Sequence, residues 1–117
     1  MNDINLRKLL MKVGISANIQ GFYFILEAIN ILGKQKIHTK TTFLYEMICK
    51  KYGKSASSVE RAIRHAVTKA YKQNDILKQI YSTIPDNSVF LYDLTFNFDI
   101  FEEIIGGQKN EKNDYVW

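Results

Sequence analysis

Apolar residues recur at three- and four-residue spacing along most of the chain, the period of a helix with one buried face. Ile4, Leu6, Leu9, Leu10 and Val13 predict a first helix over Ile4–Val13 that stops at Gly14. After a link from Ile15 to Gly21, Phe22–Leu32 is apolar nearly all round with Glu27 as its lone charge, the pattern of a central buried helix. Gly33 is expected to end it, and Lys34–Lys40 is a basic connection that contains His38. A third helix is predicted from Thr41 or Thr42 to Tyr52, with Phe43, Leu44, Met47, Ile48 and Tyr52 on one side and Gly53 as its left-handed stop.

Beyond Lys54-Ser55-Ala56 the signal sharpens. Ser57-Ser58-Val59-Glu60 has the form of a capping box, in which the Ser57 hydroxyl accepts from the Glu60 amide and the carboxylate reaches back. Val59, Ala62, Ile63, Ala66, Val67 and Ala70 then make a narrow inner face of small residues, while Ser58, Arg61, Arg64, His65 and Thr68 lie opposite. Helix, glycine turn and capped helix together predict a helix-turn-helix over about 42–71, with a recognition helix over about 57–71. A short helix capped by Asp75 is expected to include Ile76, Leu77, Ile80 and Tyr81, and Pro85–Ser88 is a turn.

The next stretch has two readings. Phe90, Leu91, Leu94, Phe98, Phe101 and Ile104 suit a helix, whereas Phe90, Tyr92, Leu94, Phe96, Phe98 and Ile100 alternate as in a strand. Gly106-Gly107 ends whichever forms. The expected architecture is a compact single domain over 1–107, all-α apart from this open stretch, with a polar tail over 108–117, and the length of 117 residues leaves room for little else.

Composition narrows the class. Six Gly and one Pro are few obligatory turn residues, which favours long helices over many short strands. A lone Cys49 excludes an internal disulfide and is read as a small core residue rather than a redox group. No uncharged run reaches the roughly 20 apolar residues of a membrane span, and no secretion signal opens the chain, so a soluble cytoplasmic domain is expected.

Charge is uneven. Residues 1–84 carry 14 Lys and Arg against 5 Asp and Glu, while residues 85–117 carry 2 against 7. A basic body points to a polyanion partner. On the predicted recognition helix, Arg61 is placed for a bidentate contact to guanine and Glu60 could accept from a cytosine amine. Arg64 and His65 would reach the flank or the backbone. Ser55, Ser57 and the free amides of the helix start could take phosphate, and Lys50, Lys51, Lys54, Lys69 and Lys72 surround the surface. No nucleophile motif, phosphate loop or metal cluster is present and His38 has no patterned partner, so neither an enzyme nor a cofactor or metal site is expected.

SASSVERAIRHAV (Ser55–Val67), VGISANIQGFYFILEAI (Val13–Ile29), ICKKYGKS (Ile48–Ser55) and PDNSVFL (Pro85–Leu91) resemble the C-terminal DNA-binding domain of the stage zero sporulation protein A family of response regulators, over roughly residues 6–98. The resemblance implies an all-helical domain of about six helices that binds short boxes of double-stranded DNA, pairs in tandem with a second copy on adjacent boxes, and contacts RNA polymerase. It maps Glu60, Arg61, Arg64 and His65 onto the DNA-facing positions and Ser58 onto a position that touches a base, and it favours helix over strand after Asn87. The family has Arg where this chain has Ser58, which removes one expected base contact. No receiver domain is expected within these residues, so phosphorylation control, if any, is expected to lie in a missing segment or on another protein. The expected function is a sequence-specific DNA-binding transcription regulator. The alternative is a non-enzymatic interaction module that keeps the fold and binds RNA polymerase or a full-length regulator instead.

Overall fold

The computed structural model describes residues 3–35 and 40–106. These form seven helices and no strand: α1 (Asp3–Lys12), α2 (Gln20–Gln35), α3 (Thr41–Tyr52), α4 (Ala56–Gln73), α5 (Asp75–Ile80), α6 (Asn87–Phe96) and α7 (98–106). The all-α expectation holds. His38 and the 108–117 tail lie outside the described residues.

α2 is the core rod. Phe22, Phe24, Ile25, Leu26, Ala28, Ile29 and Leu32 are all buried, and α1, α3, α4 and α6 pack around it. Its closest approach is to α4. At Gly21 a Cβ would meet the Ala62 carbonyl and come within 2.9 Å of the Ala66 Cβ, so the missing side chain is what lets the two helices touch. Against expectation, α2 continues through Gly33 to Gln35. Glycine weakens a helix by about 1 kcal/mol without forbidding one, and Gly33 stands in open space where nothing forces a turn.

α1 ends at Lys12 and the chain reverses at Gly14, whose φ of 102° is the left-handed region that glycine enters freely. Asn74 secures this corner. Its Nδ2 donates to the Lys12 carbonyl at 3.2 Å, and its Oδ1 accepts from the Ile76 amide at 2.9 Å. Asn74 is therefore the cap of α5, one residue before the expected Asp75, and Tyr81 lies just past the helix as its C-cap.

The ambiguous C-terminal stretch is helical and broken once, at Asn97. Phe90, Leu91, Leu94 and Phe101 are buried, and Phe98 and Ile104 pack half-buried against them, which is the helical set. Phe96 and Ile100 of the alternating set are exposed. Phe90 and Phe101 meet edge to face at 6.1 Å and close α7 onto the core. On α3 the buried residues are Leu44, Tyr45 and Ile48. Phe43, Met47 and Tyr52, expected on that inner side, are partly exposed. Tyr45 is buried beside Leu44 and Ile48 instead, with a polar partner on α6.

Tyr81 ties the last helices together. Its hydroxyl donates to Asp93 Oδ2 at 2.7 Å and its carbonyl accepts from the Tyr71 hydroxyl at 3.1 Å. Burial and the neighbouring carboxylate hold its phenol well above the usual tyrosine range.

Candidate nucleic-acid interface

α3 and α4 are joined by three residues. Gly53 adopts φ 66°, ψ 33°, and its amide, like that of Lys54, closes onto the Cys49 carbonyl. Cys49 is half-buried, and its thiol donates to the Glu46 carbonyl at 3.1 Å. After so tight a turn, α4 begins at Ala56, and the cap is Ser55 rather than Ser57.

The Ser55 hydroxyl accepts from the Ser58 amide at 3.1 Å, and the Ser55 carbonyl takes the first helical hydrogen bond, from Val59, at 3.1 Å. The predicted Ser57–Glu60 capping box does not form. Three nearby serines could each cap, and packing decides between them: α4 runs from Ala56 with Val59 fully buried on its inner face. Glu60 is thereby freed from capping and pairs with Arg64 one turn on, at 3.5 Å. A pair this long and this exposed contributes well under 1 kcal/mol.

The two faces of α4 divide as the pattern predicts. Val59, Ile63, Ala66, Val67 and Ala70 are buried, with Ala62 half-buried beneath Gly21. Arg61, Arg64 and His65 point to solvent, with Ser57, Ser55 and Lys54 exposed at the helix start and Ser58 and Thr68 half-covered. Arg61 makes one local contact, from Nε to the Ser57 carbonyl at 3.4 Å. The hydroxyls of Ser57 and Ser58 lie 3.3 and 2.8 Å from that of Ser55, a polar cluster at the positive end of an 18-residue helix.

Among the described residues, no carboxylate of α6 or α7 forms an ion pair with Arg61 or Arg64. Arg61, Arg64 and His65 are exposed, and Arg64 shares a cleft with Asp86 at the start of α6. Of the surrounding lysines, Lys51 is already engaged. Its ammonium lies 2.7 Å from Glu27 on α2, and this hydrogen bond raises its pKa. Lys50, Lys54, Lys69 and Lys72 remain exposed.

Sequence reasoning missed two residues at this surface. A cleft of about 470 Å³ lies beside Arg64, walled by Thr41 and Tyr45 of α3, Glu60 and Thr68 of α4, and the Ile84–Ser88 approach to α6. Asn87 is buried in its wall, the one buried polar side chain among the described residues. Its Nδ2 donates to the Tyr45 hydroxyl and to the Glu60 carbonyl, each at 3.1 Å. An Asn between Pro85 and an apolar run reads as an ordinary turn or cap residue, and nothing in its spacing signals an inward amide.

No group of three His, Cys, Asp or Glu among the described residues converges to hold a metal. None of the described helices is long and apolar enough to cross a membrane. The arrangement instead offers guanidinium, imidazole, hydroxyl and ammonium groups on one exposed helical face, the donor set that matches phosphates and base edges. Residues 6–94 match the family model described as "Sporulation initiation factor Spo0A C terminal". That match covers more than three quarters of the chain and includes every residue of the α3–α4 unit. The chain belongs to the Spo0A C-terminal family, the DNA-binding effector domain of a sporulation regulator.

Proposed function

We propose that the chain is a sequence-specific, double-stranded DNA-binding transcription regulator that uses α3 and α4 as a helix-turn-helix. α4 enters the major groove with its N-terminal half, and α3 crosses the backbone. The observation that carries this reading is the outward display of Arg61, Arg64 and His65 on one face, beside the serine-lined start of α4.

Arg61 reads a guanine through the bidentate geometry available to a guanidinium. Arg64 is loosely held by Glu60, and exchanging that carboxylate for a phosphate or base acceptor costs little. Lys54, Ser55 and Ser57 fix the register on phosphate. With Ser58 in place of an arginine, the contact is weighted toward Arg61, and the preferred box differs accordingly. Tandem pairing on adjacent boxes and contact with RNA polymerase belong to the same reading.

The test is selection of bound duplexes from a random pool, followed by titration of the enriched duplex across salt. We expect a defined box and a steep salt dependence. Arg61→Ala is expected to lose about 1–3 kcal/mol on the enriched duplex and to relax preference at one base pair. Absence of any enriched sequence, or an Arg61→Ala variant with unchanged strength and selectivity, would refute the reading.

A further inference from the structure

We propose that Asn87, on α6 and outside the two-helix unit, is a positioning residue that sets the seat of α4, so that sequence discrimination depends on it while phosphate affinity does not. The inference rests on the DNA-reading function above.

The geometry is a three-helix junction on one amide. Asn87 spends both Nδ2 hydrogens, one on the Tyr45 hydroxyl of α3 and one on the Glu60 carbonyl of α4. A helical carbonyl has a second lone pair to offer beyond its intrahelical bond. Because that carbonyl can only accept, the amide nitrogen must face it, which fixes the orientation of the Asn87 side chain. The anchored carbonyl belongs to the residue immediately before Arg61 and one turn before Arg64. A directional bond there adds to the packing of Val59, Ile63 and Ala66 in limiting rotation and sliding of α4.

The same side chain is a poor choice for stability alone. Its Oδ1 is buried without a hydrogen-bond partner, and an unsatisfied buried acceptor is destabilising. An apolar residue of similar size would remove that penalty and lose the directional link. Bidentate readout of a base edge demands placement that general phosphate attraction does not. Loss of the link therefore falls on discrimination.

The experiment uses the full chain and two probes: the duplex enriched by the wild-type chain and a scrambled duplex of equal length. Asn87→Leu is expected to lower the melting point by only about 5 °C, since removal of the orphaned acceptor offsets part of the two lost bonds and of the Tyr45 hydroxyl left behind. Its ratio of enriched to scrambled affinity is expected to fall about tenfold, with scrambled affinity and salt slope unchanged. A merely structural role would lower the melting point and weaken both duplexes together, and that result overturns the proposal.

Tyr45→Phe removes one hydroxyl from the same junction and leaves the ring in place. Its ratio is expected to fall about threefold, and this arm decides the matter if Asn87→Leu does not fold. A folded variant of either kind with the wild-type ratio overturns the proposal while leaving DNA reading intact. Should the wild-type chain itself fail to distinguish the duplexes, the function above fails and the proposal falls with it.

Discussion

The two longest helices, α2 and α4, touch at Gly21 yet are built on opposite plans. α2 buries eight of its 16 residues and carries Glu27 as its only acid, already matched by Lys51. α4 buries five of 18 and lines its outer side with arginine, histidine and serine. One helix gives its long apolar face to the core. The other gives the core one narrow strip and leaves its remaining surface exposed, where we propose that DNA binds. Changes in α2 should therefore act through stability, and changes on the outer side of α4 through binding alone.

The sharpest way to break this division is Gly21→Val. The added side chain collides with the Ala62 backbone, which cannot swing aside. We expect destabilisation of about 3 kcal/mol or more, seen in denaturant unfolding, with DNA binding lost only in proportion to the unfolded fraction. Arg61→Ala should do the reverse. Its unfolding free energy is expected to stay within about 0.5 kcal/mol of wild type, as for surface changes generally, while binding to the selected duplex weakens. If Arg61→Ala proved as destabilising as a core truncation, the outer face would be structural.

A smaller effect tests where α4 begins. Ser55→Ala removes the observed cap and should cost about 1 kcal/mol of stability. Ser57→Ala should cost almost nothing in stability, because that hydroxyl caps no amide among the described contacts. Equal costs would restore the rejected register. The smallest effect concerns Tyr81. Its phenol is held protonated above the ordinary value of about 10. Above that pH the unfolded chain releases a proton that the folded chain keeps, so stability declines as pH rises. Tyr81→Phe should remove this part of the alkaline decline in unfolding experiments run from pH 8 to 11, and an unchanged slope would contradict it.

Much of this was legible in the residue pattern, for a physical reason. Val59, Ile63, Ala66, Val67 and Ala70 repeat at the helical period, and the same period separates the outward cations from them, so local spacing alone assigns both faces of α4. Gly53 ends α3 where a left-handed residue is required. What spacing does not encode is competition between equivalent groups and contact across long separations. Ser55, Ser57 and Ser58 can each cap, and the choice depends on how α4 docks. Gly33 can stop a helix or sit within one, and in open solvent it does the latter. Phe90–Ile104 fits both periods, and the contact between Phe90 and Phe101 selects the helix. Asn87 meets Tyr45 across 42 residues and Glu60 across 27, separations that leave no trace in a local motif.

In the proposed function, the exposed side of α4 is the surface that meets DNA. Backbone and arginine side-chain NMR spectra of the full chain, recorded with and without the selected duplex, test it directly. Binding through this face should shift Lys54–Ser58, Arg61, Arg64 and His65 most, with little change at Ile4, Met11, Phe96 and Ile100. Shifts concentrated on α6 and α7 with α4 unmoved would contradict it.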